Sequence, residues 1–266
     1  MNNLIKNEIF KMKKDKSLKI GLIVTVALTV LTVLSNLLVN NMLKGTELPD
    51  MEMLGDLFFT SKYSISTFFS ITNNFSFILP VFIAIFICKD FSYGTIRNKV
   101  IAGYSKTKIY LSTLISSYLV GGVLILINLI VTIILSMLLL EGDVEIVWLL
   151  KICALGILMY VEVLSMITFI AMCTKSQALT IVLSMVIMFL GVILVSVLEL
   201  YDSTKWIGDL TFLKHSNILT AQGSEEIDSV YLLTTTRTIK VLLSSIGWIG
   251  LFGLLGIYGF NKKDIK

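Results

Sequence analysis

The spacing of charges constrains this chain more than any other feature. Residues 20–39, 63–88, 109–140, 176–198 and 241–261 contain no Asp, Glu, Lys or Arg, and 152–174 contains Glu162 alone. Each window is about 20 residues or longer, and a helix rising about 1.5 Å per residue needs roughly that number to cross the hydrocarbon layer. Barrel strands would alternate polar and apolar residues at every second position, and the windows do not. The expectation is an all-α integral membrane protein with six spans at 20–39, 67–88, 109–139, 147–174, 177–199 and 239–260, forming one transmembrane domain over residues 1–266. A content of 56% apolar and 15% charged residues leaves no segment for a water-soluble domain.

Lys and Arg orient the spans. With both ends inside (N-in/C-in), 15 of the 22 basic residues fall on the inner side, mostly in 1–19 and 89–108. Acids run the other way: Glu8, Asp15, Asp90 and Asp264 lie inside and thirteen lie outside. The outer loops are longer yet less basic, so loop length does not create the bias. The net charge of +4 averages a basic face and an acidic one and gives no reason to invoke nucleic acid. The first span is too long for a signal-peptide core and no small-residue cleavage site follows it, so it reads as an uncleaved anchor. Cys88, Cys153 and Cys173 lie in or beside spans without CxxC spacing and read as free, buried thiols.

Residues 1–19 predict an amphipathic interfacial helix, with Ile5, Ile9 and Met12 on one face and Lys6, Lys11, Lys13 and Lys14 in reach of anionic headgroups. A plain basic flank is the competing reading. The outer segment 40–66 holds Pro49 with Glu47, Asp50, Glu52 and Asp56. Span two carries Asn73, Asn74 and Pro80, which predicts a kink. In the outer segment 200–238, Trp206, Ile207, Leu210 and Leu213 recur at helical spacing, with Asp209 and Lys214 elsewhere on the wheel. Glu225, Glu226 and Asp228 then lead into an apolar run, and the segment reads as short amphipathic helices that sit at the outer interface or dip into it.

Glu162 is the one ionisable residue deep in a span. Charged and alone it would cost several kcal/mol, so it must be protonated, paired or facing water. It can line a pathway, or bind neighbouring helices through Asn73, Asn74 or Asn128, since no Lys or Arg lies deep in a span. Gly247, Gly250, Gly253, Gly256 and Gly259 recur every third residue in span six. Such a track winds around the helix and permits close backbone approach, which reads as helix packing. His215 is the sole histidine, has no second His or Cys beside it, and makes neither a metal site nor a Ser/His catalytic set.

The inner loop reads KDFSYGTIRNKVIAGYSKTKIYLS over 89–112. Gly94 can break the incoming helix, Thr95 can cap a new one over about 94–102, Gly103 stops it, and Ser105 can cap span three. Ile96, Val100 and Ile101 fall to one side, with Arg97, Asn98 and Lys99 on others. A two-turn helix held between two long spans is a lever, because a push on it tilts both. An ordinary basic loop is the alternative.

This order of residues resembles the coupling-helix region of ABC exporter permeases of the second, six-helix type. There an acid precedes Gly-Thr, a basic residue and an apolar turn follow, and a small-basic pair opens span three. Asp90, Gly94, Thr95, Arg97, Ser105 and Lys106 occupy those positions, with Lys106 where Arg is more usual. The chain end, with Phe260, Lys262, Lys263, Asp264 and Ile265, resembles the same family's finish. The resemblance implies an exporter permease in a bacterial plasma membrane that pairs with a second permease copy or a homologous permease. It further implies two copies of a separate ABC ATPase subunit, which would bind ATP and Mg; this chain carries no GxxxxGK[ST] phosphate loop and is expected to hold no cofactor. Asp90, Phe91, Tyr93, Gly94, Thr95, Ile96, Arg97 and Val100 are the implied coupling contacts. Arg97 would pair with an acid on the ATPase, while Ile96 and Val100 fill its groove. An amphipathic or hydrophobic cargo fits such a bundle, with an antimicrobial or self-toxic peptide as first choice.

Two other classes compete. A proton-coupled secondary transporter would use Glu162 as carrier and show inverted repeats, but the two halves match poorly in loop pattern. An intramembrane hydrolase would need two acids, or Ser and His, inside spans, and the spans offer one Glu.

Overall fold

Six apolar helices long enough to span a bilayer form the frame of the computed structural model, which describes residues 2–44, 59–200, 211–224 and 233–262. In chain order the helices are α1 (Asn2–Lys14), α2 (Lys16–Lys44), α3 (Ser61–Thr67), α4 (Asn74–Ser92), α5 (Thr95–Ile101), α6 (Lys106–Leu139), α7 (Ile146–Thr174), α8 (Gln177–Glu199), α9 (Phe212–Ala221) and α10 (Thr235–Lys262). No strand occurs among the described residues. The six spans are α2, α4, α6, α7, α8 and α10, as the charge-free windows predict. Pro49 and the acids of the first outer segment, Trp206 to Leu210, the acids at 225–228 and Lys263 to Ile265 lie outside the described residues.

The core is built on α4 and α7. Leu79, Ile83, Phe86 and Ile87 of α4 and Met159, Tyr160, Val163 and Ile167 of α7 are fully enclosed. The helices α2, α8 and α10 ring this centre and keep rows of Leu, Ile and Val exposed, as a lipid-facing surface requires. Because lipid offers no hydrophobic drive for helix association, close packing and hydrogen bonds must hold such a bundle. Asn128 of α6 supplies one such contact, donating to Thr25 Oγ1 (3.0 Å) and accepting from Thr29 Oγ1 (2.9 Å) of α2.

Both ends of the described chain lie at one end of the bundle. Lys89 at the foot of α4 pairs with Asp15 between α1 and α2 (2.9 Å). Phe91 meets the Phe260 ring edge-on, and Lys106 donates to the Asn261 carbonyl (3.1 Å). At the other end Lys44 pairs with Glu141, and the Ser61 amide donates to the Glu141 carbonyl (2.8 Å).

Span two departs from expectation. Its window predicts a helix from residue 67, but α3 ends at Thr67 and α4 begins only at Asn74, with turns between. Pro80 sits inside α4, while the break falls earlier, where Asn73 caps α4 by accepting from the Phe75 amide (3.4 Å). Three polar residues in a row, Thr72 to Asn74, give the backbone side-chain partners that a helix does not need.

Candidate coupling site and buried polar pairs

α5 forms because the chain turns sharply at both of its ends. Gly94 adopts φ +66° and serves as the cap residue itself, so Thr95 is the first helical residue and not the cap. Gly103 turns at φ +84°, and Ser105 then caps α6 by accepting from the Lys108 amide (3.4 Å). The helix is thus tied by short connections to α4 on one side and α6 on the other.

Four charges lock α5 against α1 and the foot of α4. Lys99 of α5 reaches Glu8 of α1 and also Asp90 Oδ2 (3.2 Å), while Lys11 of α1 reaches Asp90 Oδ1 (2.7 Å) and the Phe86 carbonyl (2.8 Å). Glu8, Asp90 and Lys99 are all buried. Burial alone would depress the Lys99 ammonium, but Asp90 and Glu8 outweigh it and hold its pKa above the ordinary lysine value. Burial alone would raise the Asp15 carboxyl, and the hydrogen bonds from Lys89 and the Ser17 amide outweigh that and hold it below the carboxylate range.

This cluster redistributes the expected contact residues. Asp90 faces inward as a salt-bridge acceptor. Ile96 is 1% exposed and packs into the core, so it does not face outward, and Val100 is half-buried against the same core. Phe91 is half-buried under Phe260. The outward surface is instead Tyr93, Arg97, Asn98 and Ile101, with Gly94 and Thr95 half-exposed beside them. The helical period explains the exchange: Ile96 and Lys99, three apart, share the inner face, and Ile101 falls opposite. Between α1 and α5 runs an open groove of about 650 Å³, walled by Phe10 and Lys14 on one side and Thr95 and Asn98 on the other. In α1, Leu4 and Glu8 form the buried stripe, Ile5 and Ile9 are half-buried, and Phe10 is exposed.

Glu162 lies far from this end and does not use the expected asparagines. It is fully buried, and its Oε1 is 3.2 Å from His215 Nδ1, while Oε2 has no hydrogen-bond partner. His215 is equally buried, and its Nε2 contacts Ser244 Oγ of α10 (2.7 Å). The outer segment expected at the interface therefore sends α9 into the bundle, against α7, α8 and α10. α3 enters beside it: Ser66 donates to the Thr220 carbonyl (3.1 Å) and the Ile71 amide to Ser216 Oγ (2.8 Å). Asn128 binds α2, Asn73 caps α4, and Asn74 reaches Thr32 (3.4 Å), so these bonds of the three asparagines lead away from Glu162. Of the span-six glycines, Gly256 packs directly on Tyr110 and Gly259 approaches Cys173, whereas Gly247, Gly250 and Gly253 face open space. No group of three or more potential metal ligands occurs among the described residues.

Six spans, chain ends packed together and a short helix clamped between two of the spans describe a multi-pass membrane protein. The family model described as ABC-2 family transporter protein matches residues 4–191, from α1 through most of α8, and the chain belongs to that family. It is accordingly an ABC permease, of a family that pairs with an ABC ATPase. No curated protein sequence matches the chain.

Proposed function

We propose that this chain is the permease half of an exporter in a bacterial plasma membrane, with its basic end in the cytoplasm. Two ATPase copies, each holding ATP and Mg, engage that end, and a second permease copy or a homologous permease completes the pathway. The observation that carries the reading is the clamped α5. A helix fixed to α4 and α6 by short turns, and to α1 by buried ion pairs, moves only if the spans move with it. Tyr93, Arg97 and Ile101 point outward from it, offering a ring, a charge and an apolar anchor to a partner. The cargo is amphipathic or hydrophobic, with a peptide the favoured case, since the spans present apolar faces and uncharged polar residues.

Purification in mild detergent tests this. A soluble ATPase subunit should copurify, and Arg97→Glu combined with Ile101→Asp, both at exposed positions of α5, should release it while the permease stays folded. Absence of any ATPase overturns the proposal. So does an isolated chain that transports along a proton gradient and stops with Glu162→Gln.

A further inference from the structure

The break in span two falls at bilayer depth. Asn74, where α4 begins, stands roughly 22 Å above Lys89 at about 1.5 Å per residue. Even over all 19 residues α4 reaches about 28 Å, just under the roughly 30 Å hydrocarbon layer, and it is the shortest of the six spans. Its neighbour confirms the level: Asn74 donates to Thr32, which lies inside the charge-free window of α2. The outer part of the crossing is therefore made by the turns of residues 68–73. Irregular backbone is tolerated within a membrane only where protein buries it or where it lines a water-filled cavity. Phe68, Phe69 and Ile71 are buried, but Thr72 and Asn74 are exposed.

Those two residues front a hollow of about 340 Å³ between α2, α3 and the break. Thr32, Asn36, Tyr63 and Asn73 line it as well, and every lining side chain is an uncharged hydroxyl or amide. The opposite side of α2 carries exposed Leu31, Leu34 and Leu38, which suit lipid. One helix thus separates a lipid face from a polar face at the same depth.

We propose that this hollow is a water-filled vestibule in the outer half of the membrane, which receives the uncharged amide groups of an amphipathic cargo. The proposal deepens the exporter reading and rests on it, with the second permease closing the open side. Hydroxyls and carboxamides both donate and accept, which matches the one donor and one acceptor of each amide. A charged group would keep water there but meet no opposite charge, so the lining gives it no preference over bulk solvent.

Thiol modification tests the vestibule in the purified ATPase–permease complex in liposomes. Cysteine replaces Asn36, Thr72 or Asn74 in a chain with Cys88, Cys153 and Cys173 changed to Ala, and Leu34→Cys and Leu38→Cys serve as lipid-face controls. A membrane-impermeant, negatively charged methanethiosulfonate should react at 36, 72 and 74 on the order of tenfold faster than at 34 and 38, since a thiolate forms only where water reaches. An N-acetylated, C-amidated apolar hexapeptide should slow that reaction severalfold, and tetraphenylphosphonium, an organic cation, should not. Equal rates at both sets of positions overturn the vestibule. Failure of the peptide to protect, or equal protection by the cation, overturns its choice of uncharged amides. If no ATPase copurifies but the labelling pattern holds in the permease alone, the coupling proposal falls and the vestibule stands.

Discussion

The Lys99 ammonium sits against the Glu8 carboxylate, 91 positions earlier in the chain, in a site that excludes nearly all water from both. Removing one member of such a cluster leaves a buried charge without its counterpart, which costs about 3–5 kcal/mol. Lys99→Met should therefore lower the thermal unfolding temperature of the purified protein and loosen α1. Adding Glu8→Gln to Lys99→Met should recover part of the loss, because it removes the stranded carboxylate. If the two changes simply add, the pair is not coupled.

The same end of the molecule has a defined pH window. Asp15 is held below its ordinary value of 3.8, so its contribution is complete above 3.8 and disappears as the pH falls through its lower native value. Lys99 is held above its ordinary value of 10.5, so its contribution is complete below 10.5 and disappears as the pH rises through its higher native value. A spin label on Phe10→Cys, at an exposed site of α1, should report constant mobility between 3.8 and 10.5. Asp15→Asn should abolish the acid-side contribution alone. A step near neutral pH would show that other groups hold α1.

Glu162 and His215 contact one another deep in the bundle, Oε1 to Nδ1 at 3.2 Å. Removing His215 takes away the partner of Glu162 Oε1, while removing Glu162 leaves His215 its contacts with Ser244 and Ser245, so His215→Leu should destabilise more than Glu162→Leu and the double variant should cost less than their sum. Coupling between contacting residues runs about 0.5–3 kcal/mol, which thermal unfolding in detergent can resolve across the four proteins. Additive losses would mean that the two side chains do not support one another.

What the amino-acid order shows and hides follows from the physics of each feature. Spans are visible because a charge in hydrocarbon is costly, so its absence over 20 residues marks a crossing. The turns around α5 are visible because Gly94 and Gly103 stand where the backbone takes positive φ. The break at 68–73 is hidden, since a charge-free window reads alike for helix and for turn. The place of His215 is hidden for another reason. A lone histidine in a long outer segment looks solvated, and only the packing of α9 against α7 brings it to Glu162. Lys99 followed the basic pattern of an exposed loop, yet it lies three residues from buried Ile96 and shares its face. That spacing was a usable signal for an inward lysine needing an acid.

Gly94 offers a test of the hinge before α5. Its φ of +66° is left-handed, and a Cβ there would meet no neighbouring atom within 4 Å, so the cost of a side chain is backbone strain alone. Gly94→Ala should cost about 1–2 kcal/mol, and Gly94→Asn less, because Asn tolerates that conformation better. Gly94→Val should cost most. Unfolding temperatures in the order Gly, Asn, Ala, Val would confirm strain, whereas equal values would show that the turn can re-form elsewhere.

Gly256 and Gly250 lie on one helix and should respond in opposite directions. A Cβ on Gly256 would come within 2.0 Å of the Tyr110 hydroxyl, on a ring that is fully buried and that donates to the Phe252 carbonyl (3.2 Å). The ring has no room to retreat, so Gly256→Ala should force α10 from α6 and cost about 1–3 kcal/mol as overpacking. Gly250 faces open space, and there Ala gains helix propensity of up to about 1 kcal/mol with no contact disturbed. Thermal unfolding in detergent should therefore fall for Gly256→Ala and hold or rise for Gly250→Ala. A loss at Gly250 equal to that at Gly256 would mean that a neighbouring helix covers the open face of α10 in the assembled transporter.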